Sequence, residues 1–206
     1  MNLSEAIILF GIMVALAALP SSSVALVVAR AATSGIANGI AVAVGIVLGD
    51  LVFVALAILG LSVVAETLGS FFVLVKILGG LYLIYLGIKL LKSKPGSFRA
   101  PTDAAKSKVL AVSLFAGFVL TLGDIKAILF YASLFPMFIN LSAINTQEIA
   151  AIVTITIVAV GSVKVAYAFF GVRIAGFASS RNYAGVCQKT AGGLMVGTGS
   201  YVAFKA

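Results

Sequence analysis

Long apolar segments separated by short polar connections run along the whole chain. A helix needs about 20 predominantly apolar residues to span the hydrocarbon core of a bilayer. We predict helices over residues 6–29, 38–64, 68–91, 109–139, 148–172 and 190–204. The last of these segments is short and rich in glycine. The pattern therefore predicts an all-α integral membrane protein with six transmembrane helices.

One polar connection, residues 93–108, is longer than the others and contains Pro95, Gly96 and Pro101. It divides the chain into halves 1–92 and 109–206, each with three predicted helices. Because three is an odd number, the two halves would cross the membrane in opposite directions. This arrangement is an inverted repeat, which is frequent among secondary transporters. We predict a single transmembrane transporter domain over residues 1–206, built as a 3+3 inverted repeat.

The composition supports a membrane environment. Of the 206 residues, 62% are hydrophobic and only 10% are charged. A soluble domain of this length could not bury so much apolar surface, whereas a bilayer acts as an apolar solvent. No Lys or Arg precedes the first apolar run, which continues to residue 29, so we interpret it as a membrane helix rather than a secretory signal.

In a soluble protein the formal net charge of +8 would suggest binding to nucleic acid. In this chain, however, ten basic residues lie in or next to connections on one side of the predicted membrane. They are Arg30, Lys89, Lys92, Lys94, Arg99, Lys106, Lys108, Arg173, Arg181 and Lys189. The opposite side carries Glu5, Glu66, Glu148 and Lys205. The positive-inside rule then places the basic connections in the cytoplasm and both termini outside. We expect no binding to nucleic acid.

Several kinds of chemistry are excluded by the residues that the chain lacks. It has one cysteine, Cys187, and no histidine. An intramolecular disulfide and a Cys/His metal site are therefore ruled out, and no cofactor is expected. The chain also has no nucleophile elbow and no glycine-rich phosphate loop, so we do not expect an enzyme.

Four charged residues are predicted to lie within the hydrocarbon core: Asp50, Asp124, Lys126 and Lys164. Lys76 also falls in a predicted helix, but it lies nearer the outer face, where a lysine side chain reaches the interface. A charge inside the hydrocarbon core is costly, and it usually faces the bundle interior and pairs with another group. Asp50 follows Gly45 and Gly49, which allow close helix approach. Its carboxyl is a candidate proton acceptor or counter-ion for a cationic substrate, with a structural ion pair to a lysine as the alternative.

Two predicted helices are interrupted at matching places, the first helix of each half. Pro20-Ser21-Ser22-Ser23 interrupts one, and Gly123-Asp124 interrupts the other, beside Lys126. Broken helices at corresponding positions point to a substrate site. The alternatives are a proline kink healed by serine hydroxyls and a structural Asp124–Lys126 pair. On the fifth helix, Lys164 and Tyr167 are three residues apart and share a face.

Three sets of positions, in order along the first two-thirds of the chain, match one family of membrane proteins. They are Pro20 to Arg30 with Gly45-x-x-x-Gly49-Asp50; Lys76-x-x-Gly79-Gly80-x-Tyr82-Leu83-x-Tyr85-Leu86-Gly87; and Gly117-Phe118 with Lys126 to Tyr131 and Phe135-Pro136-x-Phe138. These stretches resemble the LysE/RhtB-type amino-acid exporters.

The resemblance implies a six-helix exporter of amino acids or similar metabolites, driven by the proton gradient, in the inner (plasma) membrane of a bacterium. It also implies that Pro20, Asp50, Asp124 and Lys126 occupy the family's motif positions. The chain departs from the family twice. It has Pro20-Ser21-Ser22 where the family usually has Pro-Gly-Pro, and Asp124-Ile125-Lys126 where the family usually has Asn-Pro-Lys.

We therefore predict proton-coupled efflux of an amino acid or a close relative. Export of an inorganic cation and a non-transporting membrane scaffold or assembly protein are the alternatives. The expected partners are the substrate, protons and the lipid bilayer, and the oligomeric state is left open, a homodimer included. The predicted substrate- and proton-binding residues are Pro20, Ser21, Ser22, Asp50, Asp124, Lys126, Lys164 and Tyr167.

Overall fold

A computed structural model describes residues 2–58, 103–131 and 145–180, together with isolated helical positions between residues 77 and 92 and between residues 189 and 200. These residues form helices and no strands. The helices are α1 (Leu3–Ala18), α2 (Ser22–Ser34), α3 (Ile36–Ile58), α4 (Asp103–Leu122), α5 (Ile125–Leu129) and α6 (Thr146–Ser180). The predicted helices 68–91 and 190–204 and most of the linker 93–108 lie outside the described residues, apart from those isolated positions.

Two described helices are long and apolar enough to cross a membrane by themselves. They are α3 and the Thr146–Arg173 part of α6. Helices α1 and α2 meet the same criterion only when they are taken together as one bent span. The described part of the chain therefore supports an all-helical membrane protein and contains two or three candidate spans. The six spans of the prediction are not established by it.

The first predicted segment, residues 6–29, is two helices rather than one. α1 and α2 meet at an angle of 64°. Leu19 and Ser21 are both extended, and Pro20 between them has no N–H to continue the helix. α2 then runs past residue 29 to Ser34 and ends at Gly35, whose φ of 90° favours glycine. The predicted interruption is confirmed, and it separates two helices of comparable length.

The second predicted interruption is also confirmed. α4 ends at Leu122, Gly123 forms a turn, and Asp124 is extended, with φ −79° and ψ 105°. The Asp124 carboxylate accepts a hydrogen bond of 3.0 Å from the backbone N–H of Lys126, which is an N-cap for the short helix α5. The carboxylate thus starts the helix that carries Lys126.

Glycines bring α3 and α4 into close contact. A Cβ atom at Gly45 would overlap the carbonyl oxygen of Leu114, and one at Gly117 would overlap that of Val42. At Gly49 a Cβ atom would lie 2.7 Å from Cβ of Thr121. Small residues allow such backbone approach between membrane helices, where van der Waals packing holds helices together. α3 also packs against α2 and α6, so it is the central helix of the described bundle.

A buried hydrogen bond joins the same two helices near the start of α3. The Ser113 hydroxyl donates to Oδ1 of Asn38 at 3.0 Å, and Asn38 Nδ2 donates to the carbonyl of Ser34 at 2.7 Å. Twelve residues along α3, or about 18 Å at 1.5 Å per residue, lies Asp50. The polar clamp and the glycine contacts together fix how α4 lies beside that carboxyl.

Substituting Gly45 with alanine should destabilise the protein by about 1–3 kcal/mol, because the added Cβ meets backbone atoms of α4 that cannot rotate away. Gly11→Ala is the matched control, since no described atom lies within 4 Å of a Cβ placed there. Thermal unfolding of the two purified variants in detergent measures the difference. Equal stability of the two variants would contradict the close α3–α4 contact.

Candidate functional site

A cavity lies where the two helix breaks meet. It is surrounded by the C-terminal end of α1, the first turn of α2, the α4–α5 junction and the middle of α3 and α6. Its volume is about 50 Å³. The lining residues are Met13, Leu16, Ala17, Ser23, Ile46, Asp50, Thr121, Asp124, Lys126, Ala127, Phe130, Tyr131, Val160 and Lys164.

The end of α1 leaves three consecutive carbonyl groups without their normal helical donors. In a continuous helix the carbonyl of Leu16 would accept from the N–H of residue 20, but residue 20 is proline. The carbonyls of Ala17 and Ala18 face the residues where the chain bends into α2. A membrane interior offers no water to replace these bonds, so the donors must come from within the protein.

Each of these carbonyls accepts a hydrogen bond from a side chain distant in sequence. Lys126 Nζ donates to the carbonyl of Leu16 at 2.8 Å, and Lys164 Nζ donates to that of Ala17 at 3.0 Å. The Tyr167 hydroxyl donates to the carbonyl of Ala18 at 2.8 Å. The C-terminal end of a helix carries partial negative charge, so two ammonium groups are favourable there. Helices α5 and α6 are thereby attached to the break in the first segment.

Lys164 has a second acceptor in the cavity. Its Nζ also donates to the Ser23 hydroxyl at 3.1 Å, and the Ser23 hydroxyl lies 2.9 Å from that of Ser21. The Lys164 side chain is 2% exposed. The first turn of α2 and the last turn of α1 are therefore held by the same ammonium group.

Asp50 is held differently from the lysines. Its side chain is 6% exposed and lines the cavity, and the contact of Gly49 with Thr121 sets it beside the end of α4. Within the described segments its carboxyl makes no hydrogen bond or ion pair. Lys164, Asp124 and Lys126 line the same cavity.

The structure brings together half of the predicted site residues. Asp50, Asp124, Lys126 and Lys164 all line the cavity, with no ion pair among them, so the structural pairs that the sequence left open are not formed in the described residues. The other four lie around it. They are Pro20, which breaks the helix; Ser21, the N-cap of α2; Ser22, its first residue; and Tyr167, which caps α1.

Some lining residues were missed by the sequence analysis. Ser23 was seen only as part of the serine run, and Thr121 and Tyr131 were not selected. Thr121 lies three residues before Asp124, a spacing that puts both near one face of the predicted helix 109–139, although the helix ends at Leu122 in the structure. Tyr131 is 2% exposed and its ring contacts Phe53 and Phe130, with centroids 5.8 Å and 5.0 Å away. That carbonyls at the end of α1 lack helical donors could have been expected from Pro20 alone.

The arrangement can bind a solute that carries both charges. The cavity presents two carboxylates and two ammonium groups, and most of its remaining wall is apolar. Among the described residues no group of three or more His, Cys, Asp or Glu side chains could hold a metal ion. The groups that line the site can make hydrogen bonds and charge pairs.

Replacing Lys126 with methionine should destabilise the protein by about 1–3 kcal/mol, because the buried carbonyl of Leu16 loses its donor. Adding Pro20→Ala should restore part of the loss, since an N–H at residue 20 can donate to that carbonyl when α1 lengthens. Thermal unfolding of both single variants and the double variant measures the coupling. A coupling below about 0.5 kcal/mol would contradict the shared acceptor.

Known proteins match most of this chain. The family described as LysE type translocator matches residues 14–206. An uncharacterized membrane protein of Synechocystis sp. is 38% identical over 202 residues, which cover 98% of this chain and 97% of that protein. An uncharacterized membrane protein of Pseudomonas aeruginosa is 29% identical over 187 residues, 88% of this chain and 86% of that protein.

Leucine efflux proteins of several bacteria are also similar to this chain. A leucine efflux protein of Enterobacter sp. is 34% identical over 139 residues, which cover 66% of this chain and 64% of that protein. No solved structure matches the chain. The family match covers the cavity, both helix breaks and α3 to α6, and it confirms the resemblance inferred from the sequence motifs. The chain therefore belongs to the LysE type translocator family of membrane transporters, and it is not an enzyme.

Proposed function

We propose that this protein exports an amino acid or a related small metabolite across the inner membrane of a bacterium, in exchange for protons. The observation that carries the proposal is the cavity between the two helix breaks, which holds Asp50, Asp124, Lys126 and Lys164. Membership of a translocator family and similarity to leucine efflux proteins support export of amino acids in general.

An amino acid matches the charges of this cavity. Its ammonium group needs acceptors, which Asp50 and the carbonyls at the end of α1 offer. Its carboxylate needs a cationic donor, which Lys126 offers at the start of α5. The apolar wall, with Met13 and Val160 among its residues, suits an aliphatic side chain. An inorganic cation would meet the two lysines as well as the two acids, which makes it the weaker candidate.

Asp50 is the proposed proton-exchanging group. It is buried and lines the cavity, and no hydrogen bond or ion pair from the described residues fixes its charge. A charged group is costly in this environment, so an approaching cation favours the anionic form of the carboxyl and withdrawal of the cation favours the protonated form. Asp124 is less suited, because its carboxylate caps α5.

The proposed architecture is a 3+3 inverted repeat of six spans, with halves 1–92 and 109–206 joined by linker 93–108. The α1–α2 break and the α4–α5 break occur in the first segment of each half and border one cavity, which supports this plan. The distribution of basic residues supports a cytoplasmic linker and extracytoplasmic termini. The six-span architecture is also compatible with a homodimer.

Efflux from bacterial cells loaded with dipeptides tests the proposal. Intracellular hydrolysis of a dipeptide raises the level of its amino acids, and an exporter then increases their appearance outside. We expect faster efflux of at least one amino acid with an aliphatic side chain in expressing cells, and collapse of the increase when a protonophore dissipates the proton gradient. Flux of an inorganic cation that ignores amino acids, or no flux at all, would contradict the proposal.

Changing Asp50 to asparagine should reduce coupled efflux to the level of cells that lack the protein, because the amide keeps the shape of the side chain but cannot exchange a proton. Glu5→Gln is the matched control, since it makes the same chemical change at the exposed N-terminal cap of α1. Size-exclusion profiles of the two purified variants check folding. Full efflux by a folded Asp50→Asn protein would contradict the role of this carboxyl.

A further inference from the structure

The ammonium group of Lys164 occupies a set of acceptors that any primary amine could use. It donates to the carbonyl of Ala17 and to the hydroxyl of Ser23. A primary ammonium group has three N–H donors in a tetrahedral arrangement. The Asp50 carboxyl lines the same cavity, is 6% exposed, and makes no hydrogen bond or ion pair within the described residues. Together these groups form a buried amine-binding site with one acceptor still free.

The Ala17 carbonyl needs a hydrogen-bond donor, which Lys164 supplies, but that donor does not have to carry a charge. The next carbonyl, that of Ala18, is satisfied by the neutral hydroxyl of Tyr167 at 2.8 Å. Lys126 already supplies one positive charge beside the same helix end, and it acts unfavourably on the charge of Lys164. Burying another ammonium group here costs more than a neutral donor would. A neutral donor in place of the Lys164 ammonium group would thus satisfy the Ala17 carbonyl at a lower cost.

The size of the cavity points in the same direction. The cavity volume is about 50 Å³. By the same measure one water molecule needs about 10–15 Å³, so the cavity has room for only a few water molecules. The Lys164 side chain lines this cavity and takes up part of the space available to a solute. Withdrawal of that side chain would free both space and two hydrogen-bond acceptors at once.

We propose that the Ala17 carbonyl, the Ser23 hydroxyl and the Asp50 carboxyl form the subsite for the substrate's primary ammonium group, and that Lys164 occupies this subsite as a tethered competitor when no substrate is bound. The inference rests on the proposed export function, which it deepens. It excludes quaternary ammonium groups, which have no N–H to donate, and it favours primary amines, whose three N–H donors match the three acceptors.

Binding of two amines to the purified full-length protein tests the subsite. The probes are isopentylamine, which has the skeleton of leucine without its carboxylate, and its N,N,N-trimethyl derivative. Lys164→Met should raise the affinity for isopentylamine about tenfold, because removing a competitor that fills most of the sites raises the fraction available. Lys92→Met is the matched control. It makes the same chemical change at an exposed lysine that does not line the cavity, so the affinity should stay close to that of the unmodified protein.

The trimethyl derivative should bind at least about tenfold more weakly than isopentylamine to the unmodified protein or to Lys164→Met, because it makes none of the hydrogen bonds to the subsite. Equal binding of the two probes overturns the proposal, and so does binding of neither probe at millimolar concentration. A folded Lys164→Met protein whose affinity for isopentylamine is unchanged or lower also overturns it. If that variant does not fold, the comparison of the two probes on the unmodified protein decides.

The same measurements separate this inference from the export function. Efflux of amino acids from dipeptide-loaded cells, with no gain of isopentylamine affinity in Lys164→Met, would leave the function standing and remove the subsite. Tighter isopentylamine binding by that variant, in a protein that exports no amino acid, would keep the subsite and remove the function.

Discussion

Three carbonyl groups at the end of α1 govern the arrangement of the described helices. A proline stops the helix in an apolar region, where an unsatisfied carbonyl is costly. The donors come from Lys126 on α5 and from Lys164 and Tyr167 on α6. Because a hydrogen bond fixes both of its partners, the break also determines where α5 and α6 lie relative to the first segment.

The opposite side of the cavity is set by packing rather than by hydrogen bonds. Gly45 and Gly117 let the backbones of α3 and α4 come into direct contact, and Gly49 packs against the side chain of Thr121. This contact carries the Asp50 carboxyl to the place where α4 ends and α5 begins. The carboxyl is therefore positioned by its neighbour in sequence, and it remains without a hydrogen-bonded partner in the described residues. Rigid placement and a free carboxyl are what a binding group requires.

The lysines link structure to transport chemistry. A lysine that caps a helix end is structural, but its ammonium group has the same chemistry as the amine of an amino acid. Lys164 and the residues that accept its hydrogen bonds, Ala17 and Ser23, line the cavity, whereas Tyr167 does not. The same contacts that stabilise the empty protein thus describe the groups for which a bound amine would compete.

The sequence by itself determined the apolar segments, the two helix breaks and the four charged residues that line the cavity. These features depend on local properties, namely hydrophobicity along the chain, the missing N–H of Pro20 and the turn at Gly123-Asp124. It also identified the family, since the motifs around Pro20, Asp50 and Lys126 are contiguous. It could not name the partners of the lysines. Attraction between opposite charges suggested carboxylates, and the structure instead has the carbonyls of α1.

Only the tertiary structure decided those partners. Lys126 and its acceptor are 110 residues apart, and Lys164 and the Ala17 carbonyl are 147 apart. No helical periodicity relates positions so distant in the chain, and backbone carbonyls carry no signature in the identity of Leu16 or Ala17. The meeting of the two breaks in one cavity likewise depends on how α3 packs against α4 and α6. The physical reason is that helix periodicity is local, whereas satisfying a broken helix inside an apolar environment is a property of the whole bundle.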